Sequence, residues 1–213
     1  GLSKAGAAQE RWSKKQQGSS QKFAEEFFHL IEKNFTDWCS EELRETGITL
    51  SFLSQVVKPK LLLYIEERLN QINHQVRSTF PVGLQAVFLP SVASLECAIK
   101  TTFEAIVGGN PIVLVPSNRS IGGVYSFAQS LSQLDLPEGM FNFVLLDHND
   151  KELLAQHPAV KQVVVIGRPT TRLNFQRLLV GYEKNLVALF GGKNSCILLP
   201  DCDLPSAVRS VMI

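Results

Sequence analysis

The sequence predicts an α/β fold: a Rossmann-like, doubly wound parallel sheet with N-terminal helices packed on it. Three observations carry this. Beyond Pro81, short β-branched or apolar runs alternate with amphipathic segments. The lengths of those runs and segments suit strands and crossover helices, an order that implies parallel strands covered on both faces. Before Pro81 the periodicity is helical throughout.

The elements follow in order. Phe23, Phe27, Leu30, Ile31 and Phe35 recur at three- and four-residue spacing, with Glu25, Glu26, Glu32 and Lys33 between them. This predicts an amphipathic helix from Ser20 to about Arg44, closed by Gly47 as a C-terminal cap. Leu53, Val56, Val57, Leu61, Leu62, Ile65 and Leu69 predict a second helix over Leu50 to Ile72, kinked or divided at Pro59. The polar stretch Lys14 to Gln21 reads as a helix-helix linker. Strands are expected at Val82–Leu89, Pro111–Val115, Phe143–Leu146, Gln162–Ile166, Asn185–Leu189 and Ser195–Leu199. Helices are expected at Leu95–Val107, Gly122–Leu134, Lys151–Gln156 and Thr170–Val180, with a last one starting at Leu204. Residues 1–79 are thus a helical segment and 80–213 an α/β core of the same domain. Ser206 to Ile213 is a helix barely begun, so the core is expected to break off before a further domain.

With 45% apolar residues among 213, the chain can bury an ordinary core. Its formal net charge of +1, with no basic stretch beyond Lys14-Lys15, offers no electrostatic case for nucleic acid. No apolar run has the length of a membrane helix and no signal-peptide core is present, so a soluble cytoplasmic protein is expected. Cys39, Cys97, Cys196 and Cys202 form no Cys-x-x-Cys pair or Cys/His cluster. They read as reduced, buried thiols rather than metal ligands.

Several short motifs occur in a telling order: Ala7-Ala8 with Trp12-Ser13, Phe80-Pro81-Val82-Gly83-Leu84, Gly109-Asn110-Pro111-Ile112-Val113-Leu114, and Pro116-Ser117. Leu136-Pro137-Glu138-Gly139 with Phe141-Asn142, Gly191-Gly192-Lys193-Asn194-Ser195 and Asp201-Cys202-Asp203-Leu204 complete the series. Together they resemble the N-terminal, NAD-binding half of the aldehyde dehydrogenase superfamily. The resemblance implies a nucleotide domain, completed in the family by a catalytic domain.

The departures from the family pattern bear on chemistry. The resemblance implies a lysine ending the second strand and a glutamate shortly after it, both gripping the adenosine ribose; here stand Val115 and Asn118. Valine has no donor, whereas Asn118 keeps a neutral hydrogen-bonding group. The family's Gly-Ser pyrophosphate turn at a helix N-terminus becomes Gly167-Arg168-Pro169, which loses one amide donor and gains one fixed charge. Asp147-His148-Asn149-Asp150-Lys151 replaces a glycine-bearing turn, and His148 reads as an ordinary exposed turn histidine, as do His29, His74 and His157 elsewhere. The oxyanion-stabilising asparagine falls at Val92, after Pro90-Ser91, and the general base at Leu189. Family spacing puts the nucleophilic cysteine roughly ten residues past Ile213.

The resemblance therefore implies cofactor-binding residues Pro116, Ser117, Asn118, Gly167 and Arg168, NAD or NADP bound weakly or not at all, and no catalytic residue. The primary expectation is the nucleotide-binding half of an aldehyde dehydrogenase-like oxidoreductase, inactive as this chain. A non-catalytic scaffold or partner-binding module is the second. A fragment of an acyl-CoA or acyl-phosphate reductase is the third, since a reductive enzyme need not activate water. Self-association, or docking of the absent catalytic domain, is expected through exposed apolar surface.

Overall fold

The computed structural model describes residues 2–15, 18–74, 80–191 and 195–211. Helices α1 (Leu2–Lys15) and α2 (Gly18–Thr46) come first. Residues 16 and 17, within the expected linker, lie outside the described residues, but helix occupies Lys14–Lys15 and resumes at Gly18, leaving little linker. Gly47 ends α2 in the left-handed region, φ 72°, with its N–H donating to Leu43 O at 3.0 Å, as the cap requires.

Pro59 neither breaks nor splits the second helical stretch. Helix α3 (Leu50–Phe52) passes through a π-helical turn, Leu53–Val57, into α4 (Lys58–His74). The wider turn absorbs the missing proline N–H and the clash of its ring with the preceding turn. Thr49 caps the start, its hydroxyl accepting from Phe52 N at 3.2 Å.

The remaining elements alternate: β1 (Leu84–Phe88), α5 (Ser94–Val107), β2 (Ile112–Val115), α6 (Gly122–Leu131), β3 (Phe141–Phe143), α7 (His148–Gln156), β4 (Val160–Gly167), α8 (Pro169–Leu178), β5 (Asn185–Phe190) and α9 (Leu204–Val211). All strand pairs are parallel, in the order β3-β2-β1-β4-β5. The sheet reverses direction of growth between β2 and β4, on either side of β1, which is the doubly wound arrangement predicted.

Strand alternation divides the core. Val87, Leu89, Ile112, Leu114 and Val164 face α2, α4, α5 and α6, while Leu84, Phe88, Val113, Val115, Val163 and Val165 face α7 and α8. Helix α6 lies tight against α2 because Gly123 lacks a side chain: a Cβ there would meet Glu42 Oε2 at 2.9 Å and Trp38 O at 3.0 Å.

Three further sequence expectations are corrected. The third strand begins at Phe141, not Phe143, because the turn closes earlier, with Met140 N donating to Pro137 O, and Phe141 then pairs with Ile112. Helix α7 starts at His148 rather than Lys151, since the Asp147 carboxylate accepts from Asp150 N at 2.8 Å and caps it. Ser195–Leu199 is no strand; its apolar residues have no neighbouring strand among the described residues, and Ile197 is 83% exposed.

Candidate functional site

In a doubly wound sheet, ligands bind beyond the carboxyl ends of the strands, where the direction of winding reverses. A cleft of about 300 Å³ opens there. Its floor is Phe88 and Leu89 of β1, Val115 and Pro116 after β2, and Val165 and Ile166 of β4. Its walls are α7, through His148, Lys151 and Glu152, and α8, through Thr171, Asn174, Phe175 and Leu178. The Phe175 ring packs on Phe88 with centroids 4.8 Å apart, closing the cleft's lower part with hydrocarbon.

Polar groups cluster on the side of α7. The cap at Asp147 sets the helical phase, so residues 148, 151 and 152 share one face, and that face meets the cleft. Lys151 Nζ donates to Asn118 Oδ1 at 3.3 Å, joining α7 to the loop after β2. Partial burial pushes the Lys151 ammonium below its usual pKa, partly opposed by the charge of Asp147. His148 Nε2 lies 3.7 Å from Glu152 Oε1, so the sequence expectation of an unpartnered turn histidine is corrected: it is a helical residue beside a carboxylate.

Of the five residues implied by resemblance, Pro116 alone lines the cleft. Ser117 begins a tight turn, its carbonyl accepting from Ser120 N at 3.1 Å, and Asn118 is exposed at the tip, tied in by Lys151. Gly167 ends β4 half-buried, and Arg168 is exposed at the N-cap of α8 with extended backbone, φ −83° and ψ 156°. Pro169 occupies the first helical position, so the outward amide that most α-helices offer there is missing. The structure thus places the first three on one lip and the last two beyond β1 on the other. Lys151, Thr171, Asn174 and Phe175 were not singled out by the sequence reading. The legible signal for Lys151 was Asp147-x-x-Asp150, a capping pattern that fixes which residues share its face.

Val92 and Leu189, the positions at which the resemblance expects catalytic groups, hold hydrocarbon on open surface. Val92 sits 66% exposed on the turn after β1, just before Ala93, whose φ of 56° is unusual for a residue with a side chain. Leu189 is 52% exposed near the end of β5, and the adjoining Phe190 ring packs under the Arg172 guanidinium at 5.3 Å. Neither Val92 nor Leu189 can exchange a proton.

Burial holds Cys39 in the thiol form, its pKa pushed up to about 12, and Cys97 likewise to about 11. Cys196, by contrast, is exposed and Cys202 half-buried, correcting the expectation of buried thiols for that pair. Among the described residues, no group of three or more His, Cys, Asp or Glu is disposed to hold a metal, and no helix is long and apolar enough to cross a membrane.

Comparison with known proteins agrees with this topology. Over 109 residues the chain is 33% identical to a betaine aldehyde dehydrogenase of Agrobacterium fabrum, covering 51% of this chain and 22% of that protein. A malonate-semialdehyde dehydrogenase of Geobacillus thermodenitrificans is 33% identical over 108 residues, with the same coverage of 51% and 22%. The fold superposes on an aldehyde dehydrogenase from Bartonella henselae with a TM-score of 0.87 at 18% identity, covering 99% of this chain and 47% of that one. A mutant of aldehyde dehydrogenase C from Pseudomonas syringae, solved with NAD+ and octanal, gives 0.88 at 23% identity, covering 98% and 45%. The chain therefore spans a little under half the length of the solved structures it matches. The sequence model of the aldehyde dehydrogenase family matches residues 2–213, along the same strands and helices that build the cleft, and the chain belongs to that family.

Proposed function

We propose that this chain binds the adenosine end of a nicotinamide dinucleotide, NAD or NADP, weakly, and does not by itself oxidise an aldehyde. The cleft at the carboxyl ends of β1, β2 and β4 is the observation that carries the reading. Its residues fit such a group. Val115, Val165, Ile166 and Leu178 offer hydrocarbon to a flat base, and Asn118, Lys151, Thr171 and Asn174 offer hydrogen-bonding groups to ribose. Pro116 and Ser117 shape the near lip, and Gly167 and Arg168 face the pyrophosphate from the far one, where Arg168 supplies the charge that the lost amide of Pro169 cannot replace in geometry. Such a cofactor supplies hydride acceptance when bound. In this reading residues 1–79 are the helical cover of a nucleotide-binding core, 80–213, of an oxidoreductase of this family.

Inactivity follows from Val92 and Leu189, which cannot stabilise an oxyanion or take a proton. Calorimetric titration with NAD and NADP tests the binding: heat fitting a Kd below about 1 mM is expected, and none at several-fold higher cofactor would sink it. Aldehyde oxidation followed by reduced-cofactor absorbance should stay at the no-protein rate. Arg168→Ala should weaken binding about threefold to tenfold if the guanidinium meets a phosphate; unchanged affinity removes it from the site.

A partner-binding role is favoured by one separate observation. Leu189, Phe190, Ile197, Leu199, Leu204 and Val208 are all largely exposed near the end of the chain. Light scattering that finds a strict monomer without hydrophobic-dye binding counts against it.

A further inference from the structure

NAD and NADP differ by one phosphate on the adenosine ribose, so a protein distinguishes them by the charge it sets beside the ribose hydroxyls. A carboxylate there accepts from a hydroxyl and repels the phosphate; a cation with a neutral amide does the reverse. In this chain β2 ends at Val115 on the cleft face, so the strand supplies no charge of either sign. The loop that follows supplies the neutral Asn118.

The charge comes instead from the opposite wall. Lys151 reaches from α7 to within 3.3 Å of Asn118 Oδ1, which leaves the Asn118 amide nitrogen as a donor beside the ammonium. Among the described residues Lys151 makes no ion pair, unlike Lys100, which is held by Glu96 at 2.6 Å. The nearby carboxylates are otherwise engaged. Asp147 caps α7, and Glu152 lies beside His148. An ammonium partly withdrawn from water with no carboxylate against it gains most from an incoming dianion.

Resting on the nucleotide-binding reading above, we infer that the cleft selects the dinucleotide bearing a phosphate on its adenosine ribose, NADP over NAD, and that Lys151 with Asn118 sets this preference. Lys151 acts by direct contact with the phosphate, and Asn118 both steadies it and donates.

The test is calorimetry on the full chain with NADP, NAD, and the fragments 2′,5′-ADP and 5′-AMP, which isolate the ribose phosphate. NADP is expected to bind about tenfold tighter than NAD, and 2′,5′-ADP about tenfold tighter than 5′-AMP. Lys151→Met should abolish both preferences by weakening only the phosphorylated ligands, its unchanged affinity for NAD and 5′-AMP showing that it is folded, while Lys151→Arg retains them, which shows the effect to be one of charge. Raising salt from about 50 to about 300 mM should narrow the preference in the parent chain and in Lys151→Arg, and leave Lys151→Met unchanged. NAD bound as tightly as NADP, or Lys151→Met weakening both alike, overturns the inference and leaves nucleotide binding standing. Heat from none of the four ligands overturns both.

Discussion

The two faces of the sheet are built on different terms. On one, Phe23, Phe27, Trp38, Phe103 and Phe127 are all at most 3% exposed and pack ring against ring, with centroids 5.2 to 6.4 Å apart. On the other, α8 has no fully buried residue and α7 has two, Leu154 and Ala155. The first face is sealed by long N-terminal helices; the second is covered by two short ones that leave a cleft. Dense interdigitation gives stability, and thin cover gives a ligand room to enter.

Truncating one aromatic on each face tests this most severely. Phe127→Ala empties a site shared by Phe27, Trp38 and Phe141 and should cost about 3–5 kcal/mol. Phe175→Ala removes a half-buried ring that meets chiefly Phe88 and should cost about 1 kcal/mol. Urea midpoints at constant m-value measure both. Equal losses would mean that the cleft face is as closely packed as the other.

A second test concerns a charge inside the sealed face. Glu42 is 1% exposed, yet its carboxylate accepts from Ser120 Oγ at 3.0 Å and from Leu95 N at 3.5 Å, tying α2 to the loop before α6 and to the first turn of α5. Burial raises its pKa, the Ser120, Leu95 and Ser94 hydrogen bonds lower it by less, and nearby Glu45 raises it further. A carboxyl with a raised folded pKa favours the fold fully below its ordinary value of 4.5 and progressively less as pH rises through the raised one. Glu42→Gln should therefore match the parent below pH 4.5 and exceed it in stability at neutral pH, by less than the Phe127 effect. Parallel stability curves at both ends would mean that the carboxyl is solvated in the folded chain.

The same contrast explains what the sequence made legible. Phe23 to Phe35 repeat with a helix's period because they face one continuous core, and four of the five strands fall within two residues of expectation, three of them, β1, β2 and β4, because their runs are buried on both sides. β3 slipped because the turn at Pro137–Met140 decides its start, which composition does not encode. Ile197-Leu198-Leu199 misled because an apolar run states a preference for burial without supplying a partner. On the cleft face the fold was readable and the site only in part. Of Pro116 to Asn118, assigned by order along the chain, Pro116 lines the cleft, whereas Lys151 joins the candidate site only when a helix from a distant stretch swings it against Asn118, 33 positions away.

The smallest effect expected is also local to the thin face. Asp147→Ala removes the one side-chain cap of α7, worth about 1 kcal/mol, because Asp150 N then has only water. On the sealed face such a loss would be spread through the shared core. Here it should stay within the first turn, where His148 is exposed and Lys151 half-buried, and appear as faster amide exchange at 148–151 with little change at α2. The substitution also removes the charge that holds the Lys151 pKa up, so that pKa should fall further while α7 persists beyond its first turn. Exchange that accelerates equally in α2 and α7 would show one cooperative unit, and the distinction between a structural face and a receptive one would fail.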